Sequence, residues 1–292
     1  MPELPEVESI KLQLQKFVVG HRILDVDIRW PRIFEGDPKK VIGSKILGIR
    51  RFGKVLVVDL DNDYSLVIQI KLTGQLIYKG PLLKAESISP KVKGGLGGKH
   101  THVIFKLDAP PSHKAAEGQA ALLYYNDVRK FGKIKVVQSA KIKEQGEFIG
   151  KLGLEFLKDL KLGDFEKIVK ASNRPIKILL MDQSKMAGVG NIYANDALFL
   201  AGIKPNRKSS SLSLREQKKL FESIEKVLKE GIKRGGASEL AYVTPDGKEG
   251  SYQDFTLVYG REGELCKNKC GSVIKKIKLG GRGTYFCPVC QK

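Results

Sequence analysis

The first half of the chain joins one amphipathic helix to a series of short apolar runs. Apolar residues spaced by three and four predict a helix with one apolar face, formed by Val7, Ile10, Leu14, Phe17 and Val18. Pro5 suits the first turn of this helix and Gly20 its end. Seven strand-like runs follow within about 120 residues: ILDVDIRW, KILGIRRF, KVLVVDLD, SLVIQIKLTGQLIY, HVIFKL, ALLYYNDV and KIKVVQ. Short strands at this density indicate a β-sandwich or a barrel.

Helical periodicity replaces the strand pattern from about residue 150 onward. The predicted helices are DFEKIVKA, RPIKILLMDQ, NIYANDALFLAG and SLREQKKLFESIEKVLKEGIKRG. Ser213 is suited to cap the last of them, and Gly235 and Gly236 to end it. A loop over residues 235–256 then leads to the tail. SISPKVKGGLGGK and DAPPSHKAAEGQ are also predicted to be loops.

The charge balance bears on the partner of this protein. Its 292 residues include 52 Lys and Arg against 32 Asp and Glu, which gives a net charge of +20. This excess favours a polyanion, most simply nucleic acid, over a merely solvated basic surface. We find no run of about 18 apolar residues that would span a membrane. The acidic first ten residues also lack the apolar stretch of a signal peptide.

All four cysteines lie in the last 27 residues, as CKNKC and CPVC separated by sixteen residues. This is the ligand spacing of a tetrahedral zinc site formed by Cys266, Cys270, Cys287 and Cys290. The alternative of two disulfides is disfavoured without a secretion signal. Four thiolates leave no open coordination position, so the pattern predicts one structural Zn2+ that stabilises the tail. Between the pairs, KKIKLGGRGTYF predicts a basic hairpin with Arg282 near its tip.

Two further segments admit both a functional and a structural interpretation. Gly188 and Gly190 precede a helix that starts near Asn191, which makes either a phosphate site or only a tight turn. In NDVRKFG, Arg129 and Phe131 share one face of a strand. They would fill the gap left by an extruded base, or form an edge strand with one buried aromatic side chain.

The chain opens with MPELPEVE, an acidic stretch on a basic protein. Removal of Met1 would leave Pro2 with a free secondary amine beside Glu3. An α-amine, whose pKa is about 8, condenses with carbonyl carbons, and a secondary amine gives a cationic iminium directly. The alternative is a plain helix start, because glutamates in a first turn interact favourably with the helix dipole.

Taken in order, these segments resemble the bacterial formamidopyrimidine-DNA glycosylases over nearly the whole chain. The matching segments are PELPEVE, RFGKVL, GQL, KHTHV, DVRKFG, GVGNIYANDALFLAGI, PDGK, VYGREGE and the four-cysteine tail. The resemblance implies an α+β multidomain fold with DNA in the cleft between its main domains. The implied parts are an N-terminal catalytic β-sandwich with flanking helices (1–136), a helix-two-turn-helix domain (150–236), a lesion-proximal loop (237–257) and a zinc finger (258–292).

The resemblance also implies a bifunctional DNA glycosylase/AP lyase of base excision repair that removes 8-oxoguanine and formamidopyrimidines from duplex DNA. Pro2 would attack C1′ of the damaged nucleotide, Glu3 would donate a proton and Glu6 would help to hold the site. Lys54 would assist β-elimination, and Arg282 would assist δ-elimination at a flanking phosphate. The other DNA-binding positions that match the family are Leu72, His100, Arg129, Phe131, Lys177 and Asn191.

Three positions depart from the family pattern. The first cysteine pair is CxxxC where CxxC is usual, Leu72 replaces a common methionine, and Ser172 stands where several relatives carry lysine. The opening PELPE, rather than PEGPE, favours the oxidised-purine branch. An endonuclease VIII-like glycosylase for oxidised pyrimidines and a non-catalytic damaged-DNA-binding protein are the alternatives. We expect a monomer in the bacterial cytosol, associated with the nucleoid, whose partner is double-stranded DNA containing oxidised bases.

Overall fold

The computed structural model describes residues 2–81, 83, 88–109, 120–145 and 149–292. Met1 and most of the predicted loop DAPPSHKAAEGQ lie outside these ranges. The chain forms two compact units, one of residues 1–150 with 234–251 and one of residues 151–233 with 252–292. Within the described ranges, no helix combines the length and the apolar character needed to cross a membrane.

The first unit contains two helices and nine strands among its described residues. Helix α1 spans Leu4–Val18 and the short α2 spans Ile142–Gln145. The strands are β1 (Ile23–Ile28), β2 (Phe34–Glu35), β3 (Ile46–Phe52), β4 (Val55–Leu60), β5 (Tyr64–Gln69), β6 (Gly74–Lys79), β7 (Thr101–Leu107), β8 (Ala121–Asp127) and β9 (Lys133–Gln138). They form a four-stranded sheet in the order β1-β7-β8-β6 and a five-stranded sheet in the order β2-β9-β5-β4-β3. All pairs are antiparallel except β2 with β9.

One apolar core joins both sheets to α1. The apolar face of α1, with Ile10 and Leu14 at most 1% exposed, packs against inward-facing residues of the two sheets. Strand β4 is apolar on both faces: Leu56 and Val58 enter this core, whereas Val57 joins a second cluster on the other side of the sheet. Burial of each such side chain contributes about 2 kcal/mol. The first unit is therefore a β-rich sandwich that carries α1 as part of its core.

The second unit is helical and ends in a hairpin. Its elements are β10 (Leu154–Glu155), α3 (Leu162–Lys170), α4 (Ile176–Leu180), β11 (Met186–Ala187), α5 (Asn191–Ala201), α6 (Leu214–Lys233), β12 (Lys275–Leu279) and β13 (Arg282–Phe286). Helix α5 is central, since nine of its eleven residues are buried. A Cβ on Gly231 of α6 would clash with the ring of Tyr193, so the glycine allows α6 to approach α5 closely.

The hydrophobic pattern predicted most of these elements, with two differences. The run SLVIQIKLTGQLIY forms two strands, because the chain turns at residues 70–73, where Lys71 takes φ +56°. Helix α4 covers only half of RPIKILLMDQ: Pro175 precedes it, and the chain leaves the helix at Met181. The predicted end of α1 is confirmed, since Gly20 takes φ +93° just after the helix.

The N-terminus of α6 confirms Ser213 as its cap. The Ser213 hydroxyl accepts a hydrogen bond from the Glu216 N–H at 3.3 Å, and the Glu216 carboxylate accepts one from the Ser213 N–H at 2.8 Å. The Arg207 guanidinium also donates to both Glu216 oxygens. The hydrogen bond from Arg207 and those from Ser213 lower the pKa of Glu216 to about 2, although burial acts to raise it.

Glu216→Gln should lower the free energy of unfolding by about 1 kcal/mol at neutral pH, the usual contribution of a helix cap. The folded-state pKa of about 2 lies below the ordinary value of 4.5, so this stabilisation is present above pH 4.5 and is lost as the pH falls through about 2. Urea unfolding at several pH values should show that the difference in free energy of unfolding between wild type and variant shrinks as the pH falls from 4.5 to about 2. The control is Glu225→Gln, which removes a partly exposed partner of Lys229 on the same helix. A loss of unfolding free energy in Glu216→Gln that does not change with pH would contradict this account.

Candidate active site and metal centre

The start of α1 is held by the buried carboxylate of Glu6. Its Oε2 accepts a hydrogen bond from the Glu3 N–H at 2.7 Å, and its Oε1 accepts one from the Ala237 N–H at 2.8 Å. Pro2 and Glu3 are themselves buried, Glu3 to 3% exposure and Glu6 to 1%. The reactive end predicted from the sequence therefore lies in a water-poor environment with its backbone fixed.

Residues 235–242 pack against this helix start. The Tyr242 hydroxyl donates to the Gly235 carbonyl at 2.8 Å and lies 3.3 Å from the Glu6 carbonyl. Gly236 takes φ +86°, and a Cβ there would lie 2.8 Å from the Glu6 Cγ. Burial, followed by the Glu6 charge, raises the pKa of Tyr242 well above its ordinary value, so the phenol remains neutral. A segment that is distant in sequence thus completes the surroundings of Glu6.

Lys54 lies in the two-residue turn between β3 and β4. Gly53 takes φ +55°, a conformation that favours glycine at the first position of such a turn. Arg51 donates to the Gly53 carbonyl at 3.0 Å and to the Glu8 carboxylate of α1 at 2.5 Å. Although burial raises the pKa of Glu8, hydrogen bonds from Lys11 and Arg51 hold it below its usual range. This largely buried ion pair fixes the turn that carries Lys54 relative to α1.

The fully buried carboxylate of Asp127 joins two loops beside the four-stranded sheet. Its Oδ1 accepts the Thr73 hydroxyl and the Arg129 N–H, the latter at 3.1 Å. Its Oδ2 accepts the Gly132 N–H at 2.8 Å. The Arg129 N–H also lies 3.1 Å from the Thr73 hydroxyl. One acidic side chain at the end of β8 therefore defines the mutual position of residues 71–73 and 128–132.

These two loops carry three of the sequence-predicted DNA contacts. Leu72, which precedes Thr73, is half-buried, whereas Arg129 and Phe131 are exposed. The Arg129 guanidinium lies 4.7 Å from the centre of the Phe131 ring. The structure thus brings an aliphatic, a cationic and an aromatic side chain into two loops held by one carboxylate.

His100 lies close to the same loops, among positive charges. Its carbonyl accepts the Asp127 N–H at 2.9 Å. Partial burial lowers the pKa of the His100 imidazole, and the nearby charges of Lys99, Lys130 and Lys93 lower it further. Because these cations repel one another, an anion bound among them would be stabilised.

In the second unit, Arg282 is exposed at the tip of the β12–β13 hairpin. Gly280 and Gly281 form the turn with φ of +55° and +75°, as a tight two-residue hairpin requires. A Cβ on Gly280 would overlap the side chain of Ile178, so the tip packs directly on α4. Both glycines at this turn therefore have a conformational reason, and Gly280 has a packing reason as well.

Lys177 and Asn191 meet at the residue that follows Arg282. The Lys177 ammonium, fully buried, donates to the Gly283 carbonyl at 3.0 Å and to the Thr284 hydroxyl at 2.7 Å. The Asn191 side-chain amide donates to the same Gly283 carbonyl at 3.2 Å and is half-buried. Both side chains, which the resemblance links to phosphates, thus support the hairpin from α4 and α5.

The four cysteine sulfurs lie within 4.8 Å of one another. The Sγ atoms of Cys266 and Cys290 are 3.8 Å apart, and those of Cys270 and Cys287 are 3.5 Å apart. A tetrahedral zinc ion with Zn–S bonds of about 2.3 Å requires S···S separations of about 3.8 Å. All four cysteines are free thiols, so the donor set fits one structural zinc ion and the two-disulfide alternative is wrong.

Sequence reasoning did not identify several residues that organise these sites: Glu8, Arg51, Asp127, Gln183 and Tyr242. Gln183, for example, accepts the Gly188 N–H at 3.0 Å and donates to the Val189 carbonyl at 2.8 Å, which shapes the turn before α5. Only Asp127 carried a local signal, as an aspartate at the start of a turn. Glu8 and Arg51, like Tyr242 and Glu6, become neighbours only through folding.

Three family models match the chain in order. The model described as the formamidopyrimidine-DNA glycosylase N-terminal domain matches residues 1–134. That of the formamidopyrimidine-DNA glycosylase H2TH domain matches residues 152–241, and that of a zinc finger found in FPG and IleRS matches residues 260–292.

Curated relatives and solved structures agree over the full length. The formamidopyrimidine-DNA glycosylases of Desulfitobacterium hafniense and Listeria monocytogenes are 37% and 38% identical over 297 and 300 residues, with all of each chain covered. Lactococcus lactis Fpg bound to DNA with an abasic site is 33% identical, with 99% of both chains covered and a TM-score of 0.82. Wild-type Lactococcus lactis Fpg bound to DNA with an oxidised pyrimidine gives 33% identity, full coverage and a TM-score of 0.81. The chain therefore belongs to the formamidopyrimidine-DNA glycosylase family.

Proposed function

We propose that this protein is a bifunctional DNA glycosylase/AP lyase of base excision repair that excises oxidised purines, 8-oxoguanine and formamidopyrimidines, from duplex DNA. Family membership supports the activity and the partner. The observation that carries the proposal is the buried Glu6 carboxylate, which fixes the backbone of Glu3 beside Pro2. An amine nucleophile requires such a fixed, water-poor position.

Base release begins at the amine of Pro2, once Met1 has been removed. The nitrogen bonds to C1′ as the glycosidic bond breaks, and Glu3 supplies the proton needed for base release and sugar opening. The resulting iminium acidifies the C2′ proton, so the 3′ phosphate leaves by β-elimination. A second elimination releases the 5′ side and leaves a one-nucleotide gap.

One cation on each unit would assist these eliminations. Lys54, on a turn fixed to α1 by the Arg51–Glu8 ion pair, would contact phosphate during β-elimination. Arg282, on a hairpin held by Lys177, would contact the flanking phosphate during δ-elimination. The zinc ion has all four positions taken by thiolates, so its contribution is to stabilise the hairpin.

Access to C1′ requires the damaged nucleotide to leave the stack, which costs roughly a few kcal/mol. Leu72, Arg129 and Phe131 would fill the resulting gap, and His100 would contact a phosphate. Lys177 and Asn191 would contribute to phosphate binding around the lesion, and the fully buried Lys177 ammonium would also support the hairpin that carries Arg282.

We assign catalysis to residues 1–136, DNA binding to residues 150–236, lesion contact to residues 237–257 and metal binding to residues 258–292. The monomer would act in the bacterial cytosol, at the nucleoid. Excision of oxidised pyrimidines is a second candidate activity, because the Lactococcus lactis relative is seen bound to DNA with such a lesion.

Borohydride should trap a covalent complex between the protein and duplexes that contain 8-oxoguanine, because the iminium at Pro2 is reducible. Pro2→Gly should sharply reduce trapping, and an N-terminal extension that blocks the amine should abolish trapping but preserve DNA binding. Denaturing electrophoresis of the labelled duplex measures the adduct. No adduct with either 8-oxoguanine or dihydrouracil would exclude the Schiff-base mechanism. Much faster reaction with dihydrouracil would favour the oxidised-pyrimidine alternative.

Cys290→Ser should reduce the zinc content from one ion per chain to nearly none and weaken DNA binding, because the hairpin loses the metal that stabilises its base. Elemental analysis and fluorescence anisotropy measure the two effects. Val289→Ser changes an exposed neighbour, 53% accessible, and should retain both zinc and affinity. Retention of one zinc ion by Cys290→Ser would contradict the four-thiolate site.

Asp127→Asn should lower the affinity for duplexes carrying an abasic-site analogue by about tenfold, because one buried hydrogen-bond acceptor becomes a donor facing an N–H group. The loops that carry Leu72 and Phe131 would then lose their fixed positions. Asp108→Asn, at a carboxylate that accepts the Arg22 N–H at 2.8 Å, is the control and should retain affinity. Anisotropy titrations at one salt concentration compare the variants, and equal affinities would argue against this role.

A further inference from the structure

Residues 237–250, called here the reading segment, start beside the reactive end of the chain. The Ala237 N–H donates to one Glu6 oxygen at 2.8 Å, while the other oxygen accepts the Glu3 N–H at 2.7 Å. A single carboxylate therefore separates the first residue of this segment from the backbone next to Pro2. A base attached to C1′ at Pro2 would lie within reach of this segment.

A second loop, residues 88–98, called here the brace loop, contacts both ends of the reading segment. The Lys91 ammonium donates to the Ser238 carbonyl at one end and to Glu249 Oε2 at the other, the latter at 2.5 Å. The Gly250 N–H donates to the Ser238 hydroxyl at 2.9 Å, which draws the same two ends together. Lys91 thus closes the reading segment into a loop of defined width.

Ser89 adds a second pair of contacts from the brace loop. Its hydroxyl donates to Glu249 Oε1 at 2.6 Å, and its N–H donates to the Gly247 carbonyl at 3.0 Å. Both oxygens of Glu249 are therefore bound by the brace loop. The hydrogen bond from Lys91, followed by that from Ser89, holds the pKa of Glu249 below its usual range, so this carboxylate is ionised at neutral pH.

The middle of the reading segment is tied to the brace loop through the sheet. The Gln75 side-chain amide of β6 donates to the Lys91 carbonyl at 3.0 Å and to the Ala241 carbonyl at 2.5 Å. Val92 and Val243 pack together with Ile77 in a small buried cluster. Contacts at the ends and in the middle thus leave the reading segment few ways to move independently of the brace loop.

We propose that the brace loop fixes the shape of the reading segment for recognition of the extruded damaged base, with Lys91, Ser89 and Glu249 as positioning residues. This inference rests on the proposed glycosylase function and deepens it. A preformed abasic site has no base to recognise, so strand cleavage there does not need the brace. Loss of the contacts made by the brace loop should therefore slow base excision and leave the rate of the lyase reaction unchanged.

The test compares Lys91→Met with the wild-type protein in single-turnover assays on 8-oxoguanine duplexes and on duplexes with a preformed abasic site. Loss of a partly exposed ion pair and a carbonyl contact should slow excision by about fivefold. Cleavage of the abasic site should keep its rate. The charge-exchanged variant K91E/E249K should recover part of the excision rate, because it restores an ion pair between the same two segments.

Lys106→Ala is the matched control, since Lys106 forms a 2.7 Å ion pair with Asp25 in the same unit, away from the reading segment. It should leave both reactions unchanged. Hydrogen exchange should show faster exchange of the amides of residues 238–250 in Lys91→Met only. Unchanged amide exchange in residues 238–250, or an equal loss of rate in both reactions, would overturn the proposed role of the brace loop. Absence of excision by the wild-type protein would instead overturn the proposed function. The exchange result alone would then decide whether the brace loop fixes the reading segment.

Discussion

The proposed reactive end depends on the pair of hydrogen bonds made by the Glu6 carboxylate. Burying an ionised carboxylate without partners would cost several kcal/mol, and the N–H groups of Glu3 and Ala237 offset that cost. The positive end of the α1 dipole, where Glu6 lies in the first turn, adds to the stabilisation. This arrangement requires glycine at position 236, because a Cβ there would clash with the Glu6 side chain. The first helical turn and a segment near residue 237 are therefore one structural feature.

The second unit uses the same device of buried polar anchors to present an exposed cation. Lys177 and Asn191 hold the carbonyl of Gly283, next to Arg282. The fully buried carboxylate of Asp196 accepts the N–H groups of residues 257–259, which lead toward the first zinc ligand. A hairpin with few apolar contacts of its own is thus ordered from one end by the metal and from the other by α4 and α5.

Features that depend on local sequence could be predicted. The helix period of α1, the cysteine spacing and the Gly-Gly hairpin each express a rule that acts over a few residues. Contacts between distant residues could not: Glu8 and Arg51 are 43 positions apart, Lys177 and Thr284 are 107, and Glu6 and Ala237 are 231. Lys177 was assigned to DNA from the family resemblance alone, and no local pattern indicated its hydrogen bonds to the hairpin. Family resemblance supplied the roles proposed for Pro2 and Lys54, which no periodicity indicates.

In the proposed mechanism, the acidic start of a chain with net charge +20 would meet two different requirements of one reaction. Arg129 and Arg282 are exposed, where a cation can bind phosphate without first losing its own hydration. Glu3 and Glu6 are buried, where a carboxylate exchanges protons or holds an N–H group in a low-dielectric environment that strengthens each hydrogen bond. Exchanging the two positions would bury unpaired cations and expose the groups that handle protons. The exposure of Arg129 and Arg282 and the burial of Glu3 and Glu6 therefore suit the proposed chemistry of a phosphate backbone around a reacting sugar.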